Sequence, residues 1–293
     1  MPLPPPHTLR FLGLVACLWG LAGCVDLQSS GLGLALTSGS AAADSAPEPL
    51  KLARILRDHD RLAAAQEIYA TLDKKGELGP REVLEYASVA GSVQPPQQAL
   101  PLFARAQDLL SQGGRSLEPD ERLAVCLGLG RGQLALNQLD DAVAAFQCAL
   151  SVDPDNVAAL NGLGVALSAQ GHAADANATL SRALELDPQN AAVQNNLALE
   201  RIAAGDAKGA VALLTADAVR ASPTSVMNLA LAHLMLRNEA AARQVLETNF
   251  PNIKIAGLVK SLQQLAGRLR SGRAQAPTLL AASLQSLALE AQP

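Results

Sequence analysis

The sequence is poor in aromatic residues: one Trp, two Tyr and four Phe make up 2% of 293 positions. A core must therefore come from Ala and Leu, within an apolar share of 49%. Runs of β-branched and aromatic residues are scarce, which argues against a sheet-based fold. The composition suits packed helices instead, because Ala lets helices approach closely and Leu fills the remaining space. Charge of one sign is lacking as well. The formal net charge is −4, and no basic stripe carries interleaved aromatics, so nucleic acid is not an expected partner.

Signatures of catalysis and metal binding are absent from the pattern. His7, His59, His172 and His233 have no second ligand at metal-binding spacing. His172 falls in a turn and His233 on a helix face. Gly128, Gly130 and Gly132 resemble a phosphate loop only superficially, because no strand precedes them. There is no nucleophile elbow and no His-Glu-x-x-His run. These absences point to a protein that is not an enzyme and takes no cofactor, metal or small-molecule substrate.

What is present begins at the N-terminus. Arg10 precedes an apolar run, Phe11 to Ala22, too short to span a bilayer but long enough for a signal-peptide core. It ends in Leu21-Ala22-Gly23-Cys24. Small residues before a nucleophilic thiol suit cleavage and thiol acylation, and all four positions resemble the bacterial lipobox. That resemblance implies a signal peptide over 1–23 and a lipid on Cys24. Several acyl chains together give stable anchoring where one is marginal. Val25 follows the cysteine where an inner-membrane retention signal would place Asp, and Asp26 comes one position later. The expected location is therefore the outer membrane, facing the periplasm. Residues 24–49 are rich in Gly, Ser, Ala and Pro and cannot bury enough surface to order themselves. Such a tether reaches roughly 25–30 Å.

Self-comparison exposes a repeat. With Pro154 placed on Pro188, Leu129-Gly130 falls on Leu163-Gly164, Ala142 on Ala176, Ala149 on Ala183, and Asn156 on Asn190. Further units carry Leu197-Ala198 with Ala210, then Leu229-Ala230 with Ala242. The pattern resembles the 34-residue tetratricopeptide repeat, in which small residues let paired helices touch and a proline stops the second helix. The resemblance implies an all-α, right-handed superhelical solenoid of helix-turn-helix units. The units run 123–156, 157–190, 191–222 and 223–252. Fainter units lie upstream over 50–122, where Leu52-Ala53, Ala65 and Tyr69, then Tyr86-Ala87, Ala99, Phe103 and Ala106, hold the same offsets. Ser111–Pro119 reads as an insertion. Beyond, residues 253–293 form a capping helix (Leu258, Leu262, Leu265, Leu269) and a tail with a short helix from Leu279. This segment holds five cations and one acid. A solvated face is expected there, with a basic dock as the sharper alternative.

By repeat position, a protein-binding groove is expected to include Leu127, Arg131, Asn161, Val165, Asn195, Leu199, Met227 and Leu231. Asn161 and Asn195 could hold an extended peptide backbone, or bond only within the stack. The first helices lack the Lys and Arg cluster that clamps an acidic C-terminus in chaperone-binding repeats. Cys126 and Cys148 sit at similar heights of one helix pair. They could form a disulfide in an oxidising periplasm, or pack as small hydrophobes, and two buried thiols is the expectation.

Lipobox, tether and repeats together resemble the TadD-like lipoproteins of tight-adherence (Flp) pilus assembly. The resemblance is carried by Ser225-Val226-Met227-Asn228-Leu229-Ala230-Leu231-Ala232 and Glu239-Ala240-Ala241-Ala242-Arg243. It implies a pilotin or assembly factor whose partner is a secretin or another pilus component. A general periplasmic adaptor recruiting peptidoglycan enzymes or outer-membrane assembly machinery is the competing expectation.

Overall fold

A computed structural model describes residues 46–215 and 222–272. The lipobox with Cys24, most of the tether, Asp217 in the third clear unit, and the short helix expected from Leu279 lie outside the described residues.

Among the described residues the secondary structure is α-helical apart from one 3₁₀ turn at Gln112–Gly114. Six helix pairs follow one another: α1 Glu48–Asp58 with α2 Leu62–Lys74, α3 Pro80–Val93 with α4 Pro96–Leu110, α5 Pro119–Ala135 with α6 Leu139–Val152. They continue with α7 Val157–Ala169 and α8 Ala173–Leu186, α9 Ala191–Ala203 and α10 Ala207–Leu214, α11 Pro223–Met235 and α12 Glu239–Asn249. A last helix, α13 Ile255–Arg270, lays Leu258, Val259, Leu262 and Leu265 against α11 and α12. No helix of the described residues is long and apolar enough to cross a membrane.

The repeat register appears in the backbone as well as in the side chains. The turn between the two helices of five pairs holds a residue with positive φ at one recurring place: Asp60 57°, Asn137 58°, Gly171 87°, Gly205 85° and Arg237 60°. In each case the next residue donates its N–H back to the carbonyl five positions earlier, as Arg61 does to Leu56 (2.8 Å) and Asn238 to His233 (2.9 Å). This is the Schellman arrangement that closes a helix with one left-handed residue. Its recurrence at Asp60 shows that the faint first unit shares the geometry of the clear ones. The pair α3–α4 is joined differently, through Pro95, with Gln94 extended at φ −105°.

Between units the turn is equally regular. Asn156 accepts from the N–H of Ala159 (3.0 Å) and donates to Asp153 (3.0 Å). Asn190 repeats this with Val193 (3.2 Å) and Asp187 (3.0 Å). The Asp-Pro-x-Asn run therefore stops one helix and caps the next.

Two of the few aromatics, Phe103 and Phe146, sit where helices meet. A Cβ on Gly128 would lie 2.1 Å from the Phe103 ring, and one on Gly162 would lie 2.3 Å from Phe146. Phe146 also fills the space over Gly130, where a Cβ would come within 2.9 Å. The glycines of the α5 run thus serve close approach of large side chains, a packing role that a phosphate-loop reading would miss.

Candidate protein-binding groove

First helices of successive units pack side by side, with α5 touching α7, α7 touching α9, and α9 touching α11. The residues expected to line their shared face are placed by this packing. Leu127, Leu199, Met227 and Leu231 belong to the hydrophobic core, and Val165 is buried too. Met227 and Leu231 are each 1% exposed, so little of their surface is left for a partner.

Asn161 and Asn195 are also buried. Asn161 Oδ1 accepts from Asn196 Nδ2 of the next first helix at 2.9 Å. One unit on, Asn195 Oδ1 accepts from Asn228 Nδ2 and from Ser225 Oγ, both at 3.0 Å. An amide ladder therefore stitches α7 to α9 and α9 to α11. These are bonds within the stack, one of the two roles expected of these asparagines. The ladder is incomplete, because Asn161 Nδ2 and Asn196 Oδ1 are buried without a partner among the described residues.

Arg131 departs from the rest of the set. It is only partly buried as a residue, yet its Nε and Nη2 are enclosed and hydrogen-bonded to nothing among the described residues. Burial pushes its pKa down to about 10. It remains a cation at neutral pH, without a counter-ion among the described residues.

The buried carboxylates Glu85 and Glu121 are balanced by arginines. Glu85 receives Arg54 through Nε and Nη2 (both 2.8 Å), Arg57 (3.4 Å) and the Tyr69 hydroxyl (2.8 Å). Glu121, with 0% exposure, receives Arg81 Nε at 2.7 Å, Arg115 at 3.0 Å and the N–H of Glu118 at 3.0 Å. Burial pushes the Glu121 carboxyl up, but these donors outweigh it and hold the pKa below the usual range. The insertion before α5 thus delivers Arg115 to a buried acid. Glu200 receives only the Ser168 hydroxyl, and burial raises its pKa. His233 is lowered by burial. No group of three or more potential metal ligands occurs among the described residues.

Cys126 and Cys148 form a disulfide between α5 and α6, with Cα atoms 5.9 Å apart. The expectation of two free buried thiols is corrected here. The antiparallel pairing puts both Cα atoms within the range that a disulfide spans. Matching heights on paired helices were legible in the repeat positions, and they were the better guide. The sites most clearly missed by sequence reading are the carboxylates Glu85 and Glu121. Arg54, Arg57 and Arg81 come from other helices and Arg115 from the loop before α5, so no helical spacing announces them.

Comparison with known proteins agrees with this geometry. The tetratricopeptide repeat model matches residues 127–191 and 166–226. No curated protein matches the sequence. Among solved structures, PilF of Pseudomonas aeruginosa is similar with a TM-score of 0.55 at 13% identity, over 77% of this chain and 98% of that one. A tetratricopeptide protein of Thermus thermophilus gives 0.47 at 19% identity, over 68% and 97%. MamA of Desulfovibrio magneticus gives 0.46 at 16%, over 58% and 93%. At 13% identity the likeness to PilF is one of fold. The chain is thus an all-α solenoid in which residues 127–226 are tetratricopeptide repeats within a longer stack of helix pairs.

Proposed function

We propose that this protein is a lipid-anchored scaffold of the outer membrane, facing the periplasm, that assists assembly of a Flp-type pilus as a pilotin for its secretin. The observation that carries the reading is the order of three features along the chain. A complete lipobox ends at Cys24, a Gly, Ser, Ala and Pro-rich tether follows, and a stack of helix pairs comes next. A lipid holds the stack at the membrane, and a tether of roughly 25–30 Å lets it meet a partner arriving there. Repeat stacks offer extended surfaces suited to holding another protein. In this reading the stack holds a partner and does not transform it. The Ser225–Ala232 and Glu239–Arg243 runs support the pilus assignment through the TadD-like resemblance.

The test is secretin multimer level and surface piliation in a deletion strain complemented with wild type or Cys24→Ser. Wild type should restore both. The variant should take up no fatty-acid label, leave the membrane fraction and fail to restore multimers. Normal multimers in the deletion strain would remove the pilotin role. Cell-wall defects in that same strain would point to an adaptor for peptidoglycan enzymes.

A further inference from the structure

Charge is spread unevenly along the stack. Residues 119–190, from α5 to the turn after α8, hold nine acids and three bases. Residues 222–272, the last pair and α13, hold two acids and six bases. The sign therefore reverses between the centre of the stack and its C-terminal end. α13 turns this composition into a face. Ile255, Leu258, Val259, Leu262, Leu265 and Ala266 are buried against the preceding helices. Lys260, Gln264 and Arg268 are exposed and follow at four-residue intervals, so they line one stripe. No acid lies between Ile253 and Gly272, so neither cation has a partner on its own helix. Among the described residues no ion pair reaches either of them.

Arg270 ties this stripe to the turn after α11. Its Nη1 donates to the Leu234 carbonyl at 2.9 Å, and the same oxygen accepts from the N–H of Arg237 at 3.0 Å. One cation from the turn and one from α13 thus converge at a single carbonyl, both on exposed residues. Leu236, 39% exposed, stands next to Arg237. Of the two acids in this region, Glu239 is held by Arg243 at 2.8 Å, and Glu247 lies on α12. The cations at this end therefore outnumber the carboxylates that could balance them.

A solenoid end needs a polar outer face to stay in solution, but mixed charge serves that purpose as well as one sign does. Gathered cations repel one another, and an anionic surface opposite them relieves the repulsion. Beyond Gly272 the sequence brings Arg273, then Leu279, Leu280, Leu284 and Leu287, with Glu290 as its one acid. Cations followed by uncharged, leucine-rich sequence match a phospholipid surface, where charge meets headgroups and apolar side chains enter the boundary. We propose that the C-terminal end of the stack, through Arg237, Lys260, Arg268 and Arg270, docks on anionic phospholipid headgroups of the membrane that anchors the protein. The choice of a membrane over an acidic protein rests on the anchored reading above. The same surface repels the acidic centre, so docking orients the stack with its last helix toward the membrane and its centre away.

The experiment uses residues 24–293 carrying Cys24→Ser, so that no acyl chain contributes. Co-flotation is measured with phosphatidylcholine vesicles and with vesicles in which about one third of the lipid is phosphatidylglycerol, an anionic surface that attracts Lys and Arg. This protein should partition onto the anionic vesicles about tenfold or more strongly than onto the neutral ones, since each cation near such a surface contributes about fivefold. Added sodium chloride should weaken that binding. The triple change Arg237→Gln, Lys260→Gln and Arg268→Gln should bind anionic vesicles about tenfold or more weakly. It spares Arg270, which holds the Leu234 carbonyl, and circular dichroism should show an unchanged melting midpoint. The comparison is Arg61→Gln, Lys74→Gln and Lys75→Gln, an equal loss of exposed charge at the other end of the stack, which should leave vesicle binding within about twofold. Equal binding to both kinds of vesicle, full binding by the first triple variant, or an equal loss in the second overturns the proposal. If the starting protein ignores anionic vesicles yet takes up a capped oligoglutamate peptide that the first triple variant does not, the face belongs to an acidic protein and the proposal falls. Fatty-acid labelling of Cys24 judges the anchor separately, because none of these vesicle measurements depends on it.

Discussion

Asn196 donates its side-chain amide to Asn161 Oδ1 at 2.9 Å, joining two first helices through groups that are 3% and 1% exposed. A polar bond at such depth acts on stability through the partner it leaves behind. Asn196→Ala strands the Asn161 oxygen, and the expected loss is about 1–3 kcal/mol. The double change Asn161→Ala with Asn196→Ala removes both groups and should cost clearly less than the sum of the two single Ala changes. Denaturant titration of the four variants in a cycle checks this. Additive losses would show that the bond contributes nothing of its own.

Glu200 and Glu121 set opposite pH dependences. The folded pKa of Glu200 is raised by burial, so its contribution is fully present at pH below the unfolded value. It is lost as pH rises through the folded one. Glu121 is lowered by its donors, so its contribution is present above the unfolded value and is lost as pH falls through the folded one. Glu200→Gln should therefore raise Tm by a few degrees at pH 8 and leave it almost unchanged near pH 4. Glu121→Gln should lower Tm at pH 8. Melting curves at the two pH values suffice, and a Glu200→Gln effect equal at both would refute the linkage.

The Cys126–Cys148 bond closes a segment with a sequence separation of 22. In the chain-entropy treatment a loop of that size stabilises by about 3 kcal/mol. Reduction, or Cys126→Ser with Cys148→Ser, should lower the midpoint of urea unfolding accordingly. The double variant should be insensitive to reductant. Alkylation of both cysteines in native, non-reduced protein would show instead that the thiols are free.

Arg237 holds φ at 60° in a position filled by glycine in two other units. A side chain there opposes the left-handed conformation by roughly 1–2 kcal/mol, and the extra freedom of unfolded glycine offsets part of the relief. Arg237→Gly should stabilise by about 0.5–1 kcal/mol, whereas Gly205→Val should destabilise by more. Thermal melting of the two variants tests the pair, and a destabilised Arg237→Gly would remove the argument.

The sequence by itself determined the helix-pair unit and its register. Small residues at Ala142, Ala176 and Ala210, the Asp-Pro-x-Asn turns and the spacing of Leu are local signals. Each acts within one unit or at one turn, so spacing alone exposes it. The heights of Cys126 and Cys148 were legible for the same reason, although the covalent bond itself was decided by how closely α5 approaches α6. Tertiary structure alone decided which groups share a seam. Asn161 and Asn195 look alike in sequence, yet one keeps a spare donor and the other accepts from two neighbours. Glu85 and Glu121 are ordinary helix residues until Arg54 and Arg57 in one case, and Arg81 and Arg115 in the other, close on them from elsewhere. Arg131 reads in sequence as one more groove-lining residue, and only packing encloses its Nε and Nη2 without a counter-ion among the described residues. Burial depends on neighbours supplied by other units, and a repeat pattern specifies that neighbours exist without specifying which charge they bring.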